Sequence, residues 1–303
     1  MRPVVTTLVA TAVSVLPGLQ SPQTPQRPVF QAGTDTVVLD IAVRHNGVPV
    51  LGLTQADFDV VDNGARQTID HMSAETFPLD LTLLIDETGY GQAVLDQIAD
   101  SVGTATDLLA DDDRVRVLTF NATIQQQYEG SSAGIAPATE HLEAKGRTSL
   151  FDALVAGLVR KRNPERRSVA LAFTGGIDTT STTPPAKLVE VARRSDVILD
   201  IFLTYNPDHP TAGRIANEQY RDHLKAAAEA TGGFVEEMLG DGRLTKSLTT
   251  ALGDFRARYV LFYTVKSTVR PGWHDLKVTV KGHEVKGPGE YQVLVRKGYD
   301  GGK

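Results

Sequence analysis

The chain has 303 residues, enough to bury a large core in one or two domains. Its hydrophobic fraction of 41% and charged fraction of 22% are those of an ordinary globular protein, and its formal net charge of -6 argues against a nucleic-acid partner, which usually meets a basic surface. The absence of cysteine excludes a disulfide framework, a thiolate metal site and a cysteine nucleophile.

The first segment, MRPVVTTLVATAVSVLPGLQ (1–20), places Arg2 before a mostly apolar run that closes on Pro17 and Gly18. That order is the one of a secretory signal, and the run is too short for a stable membrane span. It predicts export to a periplasmic or extracellular location, with no stable membrane span in the mature chain. SPQTPQRP follows and makes 21–34 a disordered linker by composition. The basic cluster RKRNPERR (160–167) falls where a helix should end, so solvated cations that offset the helix dipole are expected there.

From residue 35 apolar and polar residues alternate. TVVLDIAVRHNGVPV carries Asn46-Gly47 as a turn signal, and ADFDVVDNGARQTIDHM reads as a hairpin about Asp62-Asn63-Gly64. Residues 35–76 therefore predict a few antiparallel strands without a helix. From Leu79 the rhythm becomes strand then helix. LDLTLLID is apolar enough to be buried on both faces, and QAVLDQIADSVGTATDLLA has helical spacing of Val94, Ile98 and Val102. DDDRVRVLTFN is read as an acidic, solvated turn followed by a strand. SLFDALVAGLVRKR, RSVALAFTGG, PAKLVEVARRS, DVILDIFLTY, RIANEQYRDHLKAAAEATGG, FVEEM and RLTKSLTTALGDFRAR continue the alternation. Residues 77–258 thus predict an α/β, Rossmann-like, doubly wound and mostly parallel sheet. Ligands bind such sheets at the carboxyl ends of the strands, where Asp86, Asn121 and Thr174 lie. After Tyr259 strands return in YVLFYTV, WHDLKVTV and YQVLVRKGY. Both terminal sets lack partners, so 35–76 and 259–299 are expected to form one β-sandwich into which the α/β domain is inserted.

The stretches LTLLIDETGYG (81–91), DDDRVRVLTFN (111–121), GRTSLFDAL (146–154) and ALAFTGGIDTTS (170–181) together resemble a von Willebrand factor type A domain. VPVLGLTQADFDVVDNGARQTI at the front, with ARYVLFYTV, GWHDLKVTV and VRKGY at the back, resembles the bacterial exported "VWFA-related" form, so the likeness covers nearly all of 35–299. The resemblance implies a metal-ion-dependent adhesion site, in which a divalent ion, typically Mg²⁺, takes hydroxyl and carboxylate oxygens and leaves one position for an acidic side chain of a protein partner. On that pattern Asp86 is the first acid, Thr88 stands for the first serine and Thr148 is the threonine of the second loop. Tyr90 replaces the second serine, and Gly175 replaces the acid after Thr174, so the set is degenerate. Glu87 and Asp178 are near enough in sequence to supply charge, and Ser149 belongs to the contact loop Arg147–Ser149. Two readings stay open at these residues. In one they hold Mg²⁺ weakly. In the other, Asp86 caps its loop while Thr88 and Thr148 tie loops together without an ion.

Other chemistry is poorly served. The Asp86-Glu87-Thr88 segment has Thr where a haloacid-dehalogenase-type phosphatase has its general acid, and IDTTS (177–181) is not an aspartic-protease motif. His283-Glu284 lacks the second histidine of a zinc-protease helix, and no phosphate-cradling glycine loop is present. The leading reading is an exported, non-enzymatic, adhesion-type protein-binding module. The alternatives are a phosphatase-like hydrolase using Asp86 and an inert structural envelope protein.

Overall fold

The structure, a computed structural model, describes residues 36–88, 91–161, 163, 165–204, 210–238, 243–265, 271–281 and 291–301, with the backbone alone for 210–217. The expected signal and linker, and Tyr90, lie outside the described residues. Among these residues no helix is long and apolar enough to cross a membrane.

Two Asn-Gly turns set the opening strands. Asn46 (φ 53°) with Gly47 (φ 78°) joins β1 (Thr36–His45) to β2 (Val48–Pro49). Asn63 (φ 46°) with Gly64 (φ 81°) joins β3 (Phe58–Asp62) to β4 (Ala65–Gln67). Asparagine and glycine tolerate this left-handed backbone, whose twist matches that of the paired strands. The short β5 (His71–Ser73) follows.

The middle of the chain runs through β6 (Leu79–Asp86), α1 (Gln92–Ala105), β7 (Arg114–Phe120), β8 (Ile124–Gly130), α2 (Ile135–Thr139), α3 (Leu150–Leu158) and β9 (Arg167–Thr174), the alternation that periodicity predicts with β8 and α2 added to it. It continues through α4 (Pro185–Arg194), β10 (Ile198–Thr204), α5 (Pro210–Thr231), β11 (Val235–Met238) and α6 (Arg243–Arg256). The six strands form one sheet in the order β11-β10-β9-β6-β7-β8. All neighbours run parallel except β7 and β8. The connection reverses direction between β6 and β9, so their carboxyl ends flank the point where such sheets bind ligands.

Alternation along these strands assigns the faces. Leu81, Leu83 and Ile85 of β6 meet Val94, Ile98 and Val102 of α1 and Leu248 and Phe255 of α6. Leu84 faces the other way, among Leu150, Leu154 and Leu158 of α3 and Leu224 of α5. β9 places Val169, Leu171 and Phe173 on the first face, and only Ala170 and Ala172 on the second. Close approach on that second face explains Gly157 in α3, because a Cβ there would lie 2.5 Å from Leu84 Cδ1.

The last strands are β12 (Tyr259–Thr264), β13 (Gly272–Val280), β14 (Tyr291–Leu294) and β15 (Gly298–Gly301). They pair with the first ones. β1 lies between β12 and β14, β5 flanks β12, and β13 lies between β3 and β15. Leu39 and Ile41 of β1, Val60 of β3, Leu261 of β12 and Val278 of β13 share one hydrophobic cluster, to which both antiparallel sheets contribute.

Two expectations for charged stretches need correction. Helix α3 ends at Leu158, before the basic cluster, and Val159 is extended. Arg160 and Arg166 pair with Asp80, and Arg167 Nε donates to Asp40 Oδ2 at 2.6 Å. Their side chains are 13%, 13% and 3% exposed, so these cations are fastenings rather than a solvated helix end. Sequence spacing could not reveal acids that stand on strands far away in the chain. Likewise Asp113 is buried instead of solvated. Its Oδ1 accepts from Leu79 N (2.7 Å), its Oδ2 from Ala110 N (2.8 Å), and Arg256 pairs with it.

The same device joins β1 to the base of the six-stranded sheet. Arg258, just before β12, pairs with Asp40 and donates from Nη2 to Gly232 O and Leu294 O, each at 3.2 Å. Arg44 pairs with Asp254 of α6 and stacks over Phe234 at 4.6 Å. Burial raises the Asp40 carboxyl, but Arg167 and Arg258 outweigh it and hold the group below its ordinary range.

Candidate functional site

β6 runs buried along its whole length and ends on Asp86, which is 1% exposed. Its carboxylate is occupied from within. Oδ1 accepts from Thr88 N (3.0 Å) and Thr88 Oγ1 (2.6 Å), and Oδ2 accepts from Thr174 Oγ1 (2.8 Å). Thr174 Oγ1 also accepts from Gly176 N at 3.1 Å, so the hydroxyl passes polarity from a glycine turn to the acid. Gly176 has φ 74°, a backbone that glycine adopts without strain.

Three loops close around this point. Glu87 N donates to Phe120 O (2.9 Å), and Lys145 N donates to Glu87 O (2.7 Å). Asn121 Nδ2 reaches Glu87 Oε2 at 3.4 Å, and Ser149 donates to Asn121 O from both N (2.8 Å) and Oγ (2.7 Å). Thr148 O accepts from Thr179 N (2.9 Å), Thr180 N (3.0 Å) and Thr180 Oγ1 (2.9 Å), while Thr148 N donates to Thr179 Oγ1 (2.9 Å). The ends of β6, β7 and β9 and the start of α3 are thereby bound into one rim.

The sequence-predicted residues have distinct fates there. Thr88 ties directly to Asp86, whereas Ser149 ties to Asn121. Asp178 is committed to Ser181 Oγ (2.5 Å) and to Phe151 N (3.4 Å) in the first turn of α3. Gly175 offers no side chain. Glu87 is 8% exposed, and its carboxyl is raised by burial, against the opposing pull of Lys145. Thr148 is 4% exposed, and its Oγ1 has no hydrogen-bond partner among the described residues. The ligand pattern did not assign the ties made by Thr174, Asn121, Thr179 and Thr180, although the place of the first two at strand ends marks them.

These residues do not fit a resident divalent ion well. Mg²⁺ is normally held by one or two carboxylates with waters. Here the Asp86 carboxylate already receives three hydrogen bonds, the Glu87 carboxyl beside it is buried toward Asn121, and the neighbouring acid Asp178 is engaged elsewhere. No group of three His, Asp or Glu with metal-binding placement occurs among the described residues. Among the described rim residues, Thr148 Oγ1 is a buried side-chain oxygen without a hydrogen-bond partner.

Comparison with known proteins gives the fold a class. No protein-family model matches, and no curated protein matches. Among solved structures, the chain is similar to a von Willebrand factor type A protein from Catenulispora acidiphila, at a TM-score of 0.50 and 14% identity, covering 88% of this chain and 75% of that one. Others are BatB from Bacteroides thetaiotaomicron (TM-score 0.46, 14% identity, 58% and 98% covered) and mussel byssus proximal thread matrix protein 1 with a zinc-occupied MIDAS motif (0.47, 14%, 64% and 49%). The chain has a von Willebrand factor type A-like fold, α/β and built on a mixed sheet.

Proposed function

We propose that the protein is an exported, non-enzymatic, adhesion-type module that binds another protein through the loops around Asp86–Thr88, Arg147–Ser149 and Thr174–Thr180. In this reading residues 77–258 are the binding domain, carried as an insertion on a β-sandwich made of 35–76 and 259–299. The residual metal pattern at Asp86, Thr88 and Thr148 is degenerate, and threonine hydroxyls tie the loops that an ion would otherwise organise. The carrying observation is the rim itself: Asp86–Thr174, Thr148–Thr179 and Ser149–Asn121 fix three loops into one surface at the switch point of the sheet. Glu87, Gly175 and Asp178 shape that surface.

The chain has no cysteine, so a photo-cross-linker can be placed on a single Lys145→Cys, a rim position whose side chain is none of the ties. Cross-linking in the source cells should trap a protein at position 145 and not at Lys297→Cys, both exposed positions. Trapping of nothing, or the same product from both, would remove the reading. The hydrolase alternative is disfavoured by the Asp86 carboxylate, which is buried and accepts hydrogen bonds at both oxygens rather than facing a substrate. Asp86-dependent turnover of an aryl phosphate would restore it.

A further inference from the structure

Two Asn-Gly pairs form hairpin tips, and they are held differently. Asn46-Gly47 and Asn63-Gly64 both have the left-handed backbone, and both are exposed. Asn63 is fastened to β13. Its N donates to Asp275 O (2.9 Å), and its side-chain Oδ1 accepts from Asp275 N (2.9 Å). Asn46 stands on a shorter hairpin. β2 has two residues, of which Pro49 has no N–H to give to a ladder. Its register with β1 comprises Arg44–Pro49 and His45–Val48, so opening this turn breaks few bonds.

His45 brings an acid–base group to the same turn. Its ring stacks on Tyr291, with centroids 4.4 Å apart and planes at 23°, and its Nε2 lies 3.5 Å from Asn46 Nδ2. That separation is long for a hydrogen bond, yet it holds an imidazole beside the amide nitrogen, within reach through a small turn of the side chain or one water. On the other side of the amide is Gly47. A Cβ there would meet nothing within 4 Å, so the Gly47 nitrogen is screened neither by a side chain nor by a neighbour packed over it.

We infer that Asn46 is a site of self-modification, at which Gly47 N closes on Asn46 Cγ to form a succinimide, with His45 as the proton donor and water as the co-reactant. When the turn opens, Gly47 N gives its proton to solvent and bonds to Cγ. The Cγ–Nδ2 bond breaks, and the amide nitrogen leaves as ammonia with a proton from the His45 imidazolium, which solvent restores. Water then cleaves one of the two imide C–N bonds. Cleavage at Cγ leaves an aspartate at position 46, and cleavage at the main-chain carbonyl leaves an isoaspartyl link that carries the chain through Cβ. Nothing is oxidised or reduced. Either product puts a carboxylate on an exposed turn. The change stays local, because Val50 N donates to Val43 O and Tyr259 Oη donates to Val50 O, each at 2.8 Å, and so pin the chain just beyond β2. This chemistry needs no protein partner and stands apart from the binding reading above.

The test incubates the full chain at neutral pH, folded and in parallel unfolded in urea, and then digests it with trypsin. Cutting after Arg44 and Arg66 yields the peptide 45–66, which carries both asparagines, so fragment masses score amide-to-acid conversion at one position against the other. In the folded chain, conversion at Asn46 should outrun that at Asn63 by about ten-fold or more, and in urea the two rates should converge. His45→Gln should slow conversion at Asn46 in the folded chain and leave Asn63 unchanged. His45→Phe, which keeps a ring against Tyr291 without the nitrogen, should do the same and so separates proton donation from packing. Equal rates in the folded chain, an undiminished ratio in urea, or an unchanged Asn46 rate in both His45 variants would each overturn the inference.

Discussion

Thr174 Oγ1 donates to Asp86 Oδ2 at 2.8 Å, joining the carboxyl ends of β9 and β6 across the switch point of the sheet. Both residues are buried, at 0% and 1% exposure, so the carboxylate depends on this hydroxyl and on Thr88 for its solvation. A hydrogen bond to a buried charge contributes about 1.5–3 kcal/mol. Thr174→Val keeps the shape and removes the donor. It should lower unfolding free energy by about that amount in urea, whereas Thr174→Ser should retain most of it.

The Mg²⁺ question has a direct answer in calorimetry. Since the Asp86 carboxylate already accepts three hydrogen bonds, titration of Mg²⁺ or Mn²⁺ should give no heat of binding and no rise in Tm, in wild type and in Asp86→Ala alike. A rise confined to wild type would make Asp86 a ligand after all.

At the base, Asp40 sits between Arg167 and Arg258, whose side chains are 3% and 2% exposed. Removing an acid from buried guanidiniums leaves them uncompensated, a loss of about 3–5 kcal/mol. Asp40→Ala should therefore cost more than any single rim substitution. Denaturant unfolding followed by Tyr and Trp fluorescence measures it.

Asp200 in β10 is buried and accepts from Phe234 N at 3.1 Å, and burial pushes its carboxyl up to about 7 despite Arg258 and Arg44. The folded state therefore binds this proton more tightly than the unfolded chain, whose carboxyl titrates at the ordinary value of 3.8. Its contribution is most favourable below pH 3.8 and declines as pH rises to about 7, by a few kcal/mol at ~1.4 kcal/mol per unit. Asp200→Asn keeps the acceptor for Phe234 and should flatten that part of the stability profile. An unchanged slope between pH 4 and 7 would exclude Asp200 as its source.

Gly232 ends α5 with φ 82°, and a Cβ there would stand 2.8 Å from Arg296 N and 2.9 Å from Val295 C. Those atoms are backbone and cannot swing aside. Gly232→Ala should destabilise by more than the ~1 kcal/mol typical of a left-handed position, through combined strain and overlap, whereas Gly103→Ala meets nothing and should be neutral or better.

The periodicity of Leu81, Leu83 and Ile85 against Leu84 made β6 legible, and Asn46-Gly47 and Asn63-Gly64 made the turns legible, because these signals are local. The pairing of β1 with β12 and of β3 with β13 follows from strands that otherwise have bare edges. β8 escaped notice, since IQQQYEG is polar and mostly exposed, with little alternation to report. The strand ends that carry Asp86, Asn121 and Thr174 were legible, and Asp86 and Thr88 meet as their spacing suggests. The Arg167–Asp40 pair was not legible, because charge placement across 127 positions leaves no trace in composition. The orientation of Arg147 toward Thr179 was hidden for the same reason.

The ionic contacts of Asp40, Asp80 and Asp113 stand where strands of the central layer begin, and the hydroxyl ties of Asp86 and Thr174 stand where they finish. The eight residues of β6 hold the two ends about 25 Å apart at the usual rise per residue. A substitution at one end, such as Thr174→Val, therefore leaves the mounting at the other untouched. The base of the central layer is thus fastened by charge and its far edge by hydroxyls, two mountings that can be altered one at a time.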